Sequence, residues 1–286
     1  MTIREGVIID AHHHLWDPRS RRYPWLSDVP SLDRAFESSD LSAAIAELPV
    51  KGTVVVQATS TDEETRWLLD AAQSSDLILG VVGWVDLLRP GVSERLMQLS
   101  NLPLVGIRHQ AQDEPDPAWL VRAEVIQGLG AVRDAGLPFD LLVRRQQRPA
   151  ALRLVASMPD QYFVIDHLAK PEIAAGEWSS WYAWMVAMAS HPAVFCKISG
   201  LVTEADWRSW RTQHLKRYIN AALELFGPDR CMFGSDWPVS LLAAEYGEVV
   251  NLVEAAIPGL TAAERDSLWR GTATSVYGLS SRAGTS

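Results

Sequence analysis

The sequence predicts an α/β fold, a single (β/α)8 barrel of the TIM type with its active site at the C-terminal mouth of the strands. Eight short, nearly unbroken apolar runs alternate with helix-like stretches along the chain, and such runs suit parallel strands covered on both faces. The runs recur about every 32 residues, the spacing of a βα unit when roughly 250 residues make eight of them. No Gly/Ser-rich linker or low-complexity segment interrupts the first 279 residues. The expectation is one barrel domain over 1–279 and a short tail, SSRAGTS, over 280–286. A doubly wound open sheet is the alternative, but the G-x-G-x-x-G turn of that fold is missing.

In order, the expected strands are Val7–His14, Thr53–Thr59, Leu79–Val85, Leu104–Gln110, Phe139–Val143, Tyr162–His167, Val194–Ser199 and Met232–Asp236. Thr61 with Glu64, and Thr261 with Glu264, read as capping boxes in which each side chain satisfies the other residue's amide. Pro149 fits a first helical position. Gly136 before Pro138, and Gly227 before Pro228, close two helices. Trp178, Trp181 and Trp184 recur every third residue, the spacing of a packed helix face.

Composition removes several function classes. A formal net charge of −9 repels phosphate backbones, so nucleic acid is not an expected partner. No run of 18 or more apolar residues occurs, so no membrane partner is expected. The N-terminal MTIREGVIID carries charge where a signal peptide needs an apolar core, which makes a cytoplasmic protein the expectation. Cys196 and Cys231 are the only cysteines, too few for a disulfide framework or a zinc ribbon. Nothing in the sequence specifies an oligomeric state.

The polar chemistry gathers at strand ends. The first strand ends Asp10-Ala11-His12-His13-His14. Residues two apart share a strand face, so His12 and His14 point together and His13 points away. Such an H-x-H pair suits metal ligation or paired donors to one oxygen. FVIDHLAKP places Asp166, His167 and Lys170 at the mouth of strand six, and MFGSDWPV places Asp236 at the end of strand eight. In a closed barrel strand eight neighbours strand one, so Asp236 can face the histidine pair.

The motifs DAHHHLWD, VGWVDL, GIRHQAQDEPDP, DHLAKP, CKISGLVTEADW and FGSDWPV resemble the amidohydrolase superfamily. Within it they resemble the branch of sugar-lactone hydrolases to which L-fuconolactonase belongs, from about Val7 to Leu279. The resemblance implies a distorted barrel in which His12, His14, His167 and Asp236 form the catalytic centre. It also implies that Arg108 and His109 face the substrate. Strand five, PFDLLV, lacks the extra His or modified Lys of many binuclear relatives, and strand seven offers Lys197 and Ser199 instead of a ligand. A binuclear centre is therefore not expected.

The expected function is hydrolysis of a sugar aldonolactone, L-fuconolactone-like, to the aldonic acid. Asp236 acts as general base and then acid, and the histidines polarise the carbonyl. Substrate contacts are expected from Arg108, His109, Lys170, Trp25 and Trp84; Trp16 and Trp237 are further rim tryptophans that could instead pack the barrel. Lys170 binds a hydroxyl or the product carboxylate, or else pairs with Glu172. Lys197, polar within a short strand, reads as half of a buried pair with an acidic neighbour. No cofactor is expected to be required. His12, His14, His167 and Asp236 nevertheless match one optional zinc in ligand type and number. A metal-dependent decarboxylase or another hydrolase of the superfamily is the alternative, and a non-catalytic barrel that binds a sugar acid is a third reading.

Overall fold

The computed structural model describes residues 6–279; residues 1–5 and the expected tail over 280–286 lie outside it. Eight strands form one sheet, β1 (Ile8–His13), β2 (Val50–Val56), β3 (Ile78–Gly83), β4 (Leu104–His109), β5 (Phe139–Leu141), β6 (Phe163–Ile165), β7 (Val194–Ile198) and β8 (Cys231–Phe233). Each pairs in parallel with the next. The connecting helices are α1 (Ser38–Ala44), α2 (Asp62–Gln73), α3 (Val92–Leu99), α4 (Ala123–Asp134), α5 (Arg148–Ser157), α6 (Ser179–Ala189) and α7 (Thr212–Phe226). After β8 come α8 (Tyr246–Ala256) and a terminal helix running α9 (Ala262–Asp266), a π turn, and α10 (Thr272–Val276). The expected strands ran two or three residues too far at the C-terminal ends of β2, β3, β5, β6 and β8, where the chain leaves the ladder to build the barrel mouth.

The last strand returns to the first through a partial ladder. The Asp236 amide donates to the His12 carbonyl at 2.8 Å and the His14 amide to the Trp237 carbonyl at 2.7 Å. Asp10 adds a side-chain clasp, accepting from the Ser235 amide (2.9 Å), the Ser235 hydroxyl (2.6 Å) and the Tyr246 hydroxyl (2.8 Å). Burial pushes the Asp10 carboxyl up to about 6, and these hydrogen bonds work against it. The result is a distorted (β/α)8 barrel, closed as much by side chains as by backbone.

Strand alternation sorts the core into two compartments. Val55, Val81, Ile107, Phe139, Leu141, Phe163, Ile165, Cys196, Ile198 and Phe233 pack outward against the helices. Ile9, Ala11, Val54, Val56, Val82, Val164 and Met232 form a separate cluster with Ala273, Val276, Tyr277 and Leu279. The C-terminal helix therefore plugs the floor of the barrel. Trp181 and Trp184 are buried, as their spacing predicts, and both cysteines are buried free thiols.

The two expected capping boxes differ. Thr261 and Glu264 satisfy each other fully. Thr61 accepts from the Glu64 amide, but the Glu64 carboxylate turns away to take the Ala58 and Thr59 amides at 3.0 and 2.8 Å. That box is only half formed, because Glu64 is buried under the loop after β2 and serves that loop instead.

Candidate active site

Above the apolar floor, alternation turns Arg108 (β4), Asp140 (β5) and Lys197 (β7) into the barrel, with Asp166 just past β6. Lys197 binds Asp140 at 2.5 Å and lies 3.1 Å from Asp166; Arg108 binds the other Asp166 oxygen at 2.8 Å. The Tyr277 hydroxyl donates to Asp140 at 2.9 Å. The expected buried partner of Lys197 is thus a pair of aspartates. Burial pushes Asp140 up to about 6 against the pull of Lys197. Burial would raise Asp166 too, but Lys197, His12 and Arg108 together hold it well below the ordinary carboxylate range.

The next layer up holds His12, His14, His167 and Asp236. His12 and His14 approach Nε2 to Nε2 at 3.1 Å, and His13 turns away to Thr53 (3.0 Å). Asp236 Oδ1 lies 3.5 Å from His14 Nε2 and 3.8 Å from Nε2 of both His12 and His167. Burial lowers all three imidazoles, His167 to about 4, so they are neutral at pH 7. Asp236 is lowered as well: burial opposes ionisation, but His167, His14 and Lys170 outweigh it. Neutral pH therefore finds an ionised carboxylate facing three uncharged rings.

The backbone that presents these groups is strained. His167, Leu168, Ala169 and Lys170 have φ of 53°, 50°, 58° and 48°, a left-handed turn in a segment without glycine, and Asp236 has φ of 57°. Such residues cost of order 1–3 kcal/mol each and persist only where their surroundings over-determine them. Here Trp181 donates to the Leu168 carbonyl at 2.7 Å, and Arg148 donates to the carbonyls of Ala169 and Lys170. Two glycines leave the necessary room. A Cβ on Gly200 would stand 2.5 Å from His167 Nδ1, and one on Gly234 would stand 2.7 Å from the His12 Cβ.

A cavity of about 280 Å³ opens onto this layer, lined by His14, Arg108, His167, Lys170 and Asp236 and walled by Trp25 and Trp207. Trp25 is fixed by an indole hydrogen bond to the Ala58 carbonyl, which places it on the loop that Glu64 anchors. Lys170 faces Glu204 at 3.7 Å, not the Glu172 that sequence suggested; Glu172 pairs with Arg145 instead.

His109 and Trp84 do not line this cavity. Adjacent strand residues point to opposite faces, so Arg108 inside puts His109 outside. There His109 stacks on Trp119 at 3.9 Å, accepts from the Trp84 indole at 3.0 Å and binds Glu114 at 2.8 Å. Both ring nitrogens are used. Trp16 is fully buried, its indole donating to the Leu32 carbonyl, and Trp237 packs on Phe36. Sequence reasoning assigned no role to Asp140 or Asp166, gave Glu64 only a helix-capping role, and overlooked Trp207. The reading that singled out Lys197, a charged residue within a short apolar strand, would have found Asp140 in PFDLLV.

The donor set fits one divalent ion. Ligand atoms of His12, His167 and Asp236 lie within 4.8 Å of one another, with His14 Nε2 beside them. Imidazole nitrogens with one carboxylate suit zinc, and each ring is held from behind. The His14 Nδ1–H donates to the Val56 carbonyl (2.8 Å), His167 Nδ1 meets the Ser199 hydroxyl (2.8 Å), and His12 Nδ1 lies 3.2 Å from Asp166. Asp140 and Lys197, the polar groups of β5 and β7, are engaged with each other below.

Comparison with known proteins agrees with this architecture. The amidohydrolase family model matches residues 9–279. An L-fucono-1,5-lactonase of Burkholderia multivorans is 39% identical over 283 residues, covering 95% of this chain and 96% of its own. That of Burkholderia ambifaria is 38% identical, covering 84% of this chain and 83% of its own. The crystal structure of a Burkholderia multivorans amidohydrolase with bound zinc superposes with a TM-score of 0.92 at 39% identity, over 96% of this chain and all of that one. With a barrel of eight parallel strands and a His/His/His/Asp cluster at its mouth, the chain belongs to the amidohydrolase family.

Proposed function

We propose that the protein hydrolyses a five- or six-membered sugar aldonolactone to its aldonic acid, with L-fucono-, L-rhamnono- and L-galactonolactone as leading substrates. The observation that carries the reading is Asp236, an ionised and buried carboxylate at the base of a tryptophan-walled cavity. Relatives that match 95% and 84% of the chain and are named L-fucono-1,5-lactonase support the substrate class.

A water hydrogen-bonded to Asp236 attacks the lactone carbonyl and passes its proton to the carboxylate. Arg108 and His167, both lining the cavity, receive the developing oxyanion. With the Ser199 hydroxyl donating to Nδ1, His167 presents an Nε2–H for this task. The tetrahedral intermediate collapses with cleavage of the ring ester bond, and Asp236 returns its proton to the departing alkoxide. Lys170 lies on the cavity wall where a hydroxyl or the new carboxylate can reach it. His12, His14, His167 and Asp236 would hold a divalent ion, which when bound supplies Lewis-acid polarisation. Turnover does not require it.

The test is a panel of aldonolactones followed by the acid that each opening releases. Rapid opening of a sugar lactone is expected. Failure across the panel, with release of carbon dioxide from an aromatic acid or cleavage of an amide, would overturn the reading.

A further inference from the structure

The His12 ring stands between two competitors for one nitrogen. Its Nδ1 lies 3.2 Å from the Lys197 ammonium and 3.2 Å from Asp166 Oδ1. A bare Nδ1 accepts from the ammonium, whereas an Nδ1–H donates to the carboxylate, and a neutral ring does one or the other. Each choice sets Nε2 the opposite way.

With Lys197 donating, the proton sits on Nε2 and points at His14 Nε2, 3.1 Å away. That nitrogen is free to accept, because His14 uses its Nδ1–H on the Val56 carbonyl. The chain from Lys197 through His12 and His14 to Val56 then closes without an ion. It leaves Asp166 Oδ1 with the Lys197 ammonium, 3.1 Å away, as its ion-pair partner and with no hydrogen bond among the described residues. With Asp166 accepting, that oxygen is satisfied and Nε2 is bare. Two imidazole lone pairs then face each other at 3.1 Å beside the Asp236 carboxylate, with only the long contact of Arg108 Nη1 to His12 Nε2 at 3.4 Å to offer a donor, an arrangement that a cation between them completes.

We propose that His12 is a tautomer switch, held by Lys197 in the ion-free protein and by Asp166 when a divalent cation occupies the Nε2 side. Solvent water takes the proton lost from Nε2 and supplies the one gained at Nδ1, so no net proton is released and the ring stays neutral. Ser199 can follow the same change at His167, since a hydroxyl donates to Nδ1 or accepts from it. Lys197 and Asp166 act as positioning residues, and through them the site is complete with an ion or without one. The inference rests on the ion-binding reading of the cluster and is independent of the lactone.

The experiment follows the ring nitrogens by NMR in metal-free, 15N-histidine-labelled protein titrated with zinc, His12 being assigned from its absence in His12→Gln. Calorimetry on the same sample reports whether zinc binds. Before zinc, His12 should show a protonated Nε2 and a bare Nδ1; with zinc bound, the pattern should reverse. An Nδ1–H before zinc, an unchanged pattern with zinc bound, or no zinc binding each overturns the switch. Asp166→Asn should weaken zinc binding roughly ten- to hundredfold; unchanged affinity in a folded variant counts against the role of Asp166. Lactone turnover enters none of these readouts, so failure here is distinct from failure of the proposed reaction.

Discussion

The barrel interior holds two polar layers of similar size and opposite character. In the lower one, Arg108, Asp140, Asp166 and Lys197 are between 0% and 2% exposed, and two cations meet two anions at 3.1 Å or less. In the upper one, His12, His14, His167 and Asp236 are nearly as buried, yet Asp236 keeps its nearest imidazoles at 3.5 to 3.8 Å. Groups satisfied within the protein hold position, and groups left short of a partner are available to a reacting molecule. Arg108 spans both, binding Asp166 below while lining the cavity above.

If the upper layer carries the chemistry, its carboxylate is the most sensitive point. Asp236→Asn keeps volume but cannot accept the water's proton, so kcat should fall by roughly 10² to 10⁴ with little change in KM. In the native enzyme kcat/KM should hold through weakly acidic pH. Because the Asp236 pKa is lowered, activity is present above it and disappears only as pH falls through a value below the ordinary carboxylate range. Retained turnover in the Asn variant would move the base to a histidine and dissolve the distinction between the layers.

The lower layer should instead fail as structure. Lys197→Met removes the cation shared by Asp140 and Asp166, leaving Asp140 buried with no cation and Asp166 with Arg108 alone. Breaking a buried pair in this way costs about 3–5 kcal/mol, read as a lower midpoint in chemical denaturation. A variant of native stability that had lost only turnover would place Lys197 in the reaction itself.

Glu64 gives a third buried carboxyl for comparison, bound by two backbone amides rather than by a cation at close range. Burial pushes it up to about 7 from 4.5, against the amides. Between those values the unfolded chain ionises while the native one holds its proton, so the native state loses relative stability as pH rises through the window. The full penalty, about 3 kcal/mol, is present above pH 7. Glu64→Gln should therefore gain on the native protein between pH 5 and pH 8 in denaturant unfolding. A constant difference at both pH values would show that Glu64 does not titrate there.

What the sequence disclosed follows the range of the forces involved. Eight strands were legible because a doubly covered strand must be apolar along its length, and His12 and His14 were legible because alternation is local. Alternation also forbids Arg108 and His109 from facing one site, a constraint that the resemblance of the RH pair obscured. The left-handed turn His167–Lys170 had no signal, since none of its four residues favours positive φ. Contacts with Trp181 and Arg148 hold it from other segments. Thr61/Glu64 and Thr261/Glu264 carry the same motif, and only the loop packed over Glu64 separates a half box from a full one.

The smallest effect expected is that of removing metal. The lower layer offers His12 a donor in Lys197, so the upper layer can complete its hydrogen bonds with no cation between the rings. In the proposed reaction Asp236 moves the proton as a free carboxylate, a role that needs no ion. Arg108 and Lys170 bring positive charge to the cavity independently of one. A lactone is an activated ester, and in the proposed reaction these donors polarise it. Exhaustive chelation should therefore change kcat/KM by less than tenfold, about 1.4 kcal/mol of barrier, with elemental analysis of the assayed sample confirming removal. A hundredfold loss that zinc restores would transfer the polarising role from the protein's cations to the ion, and with it the reason for keeping the two layers apart.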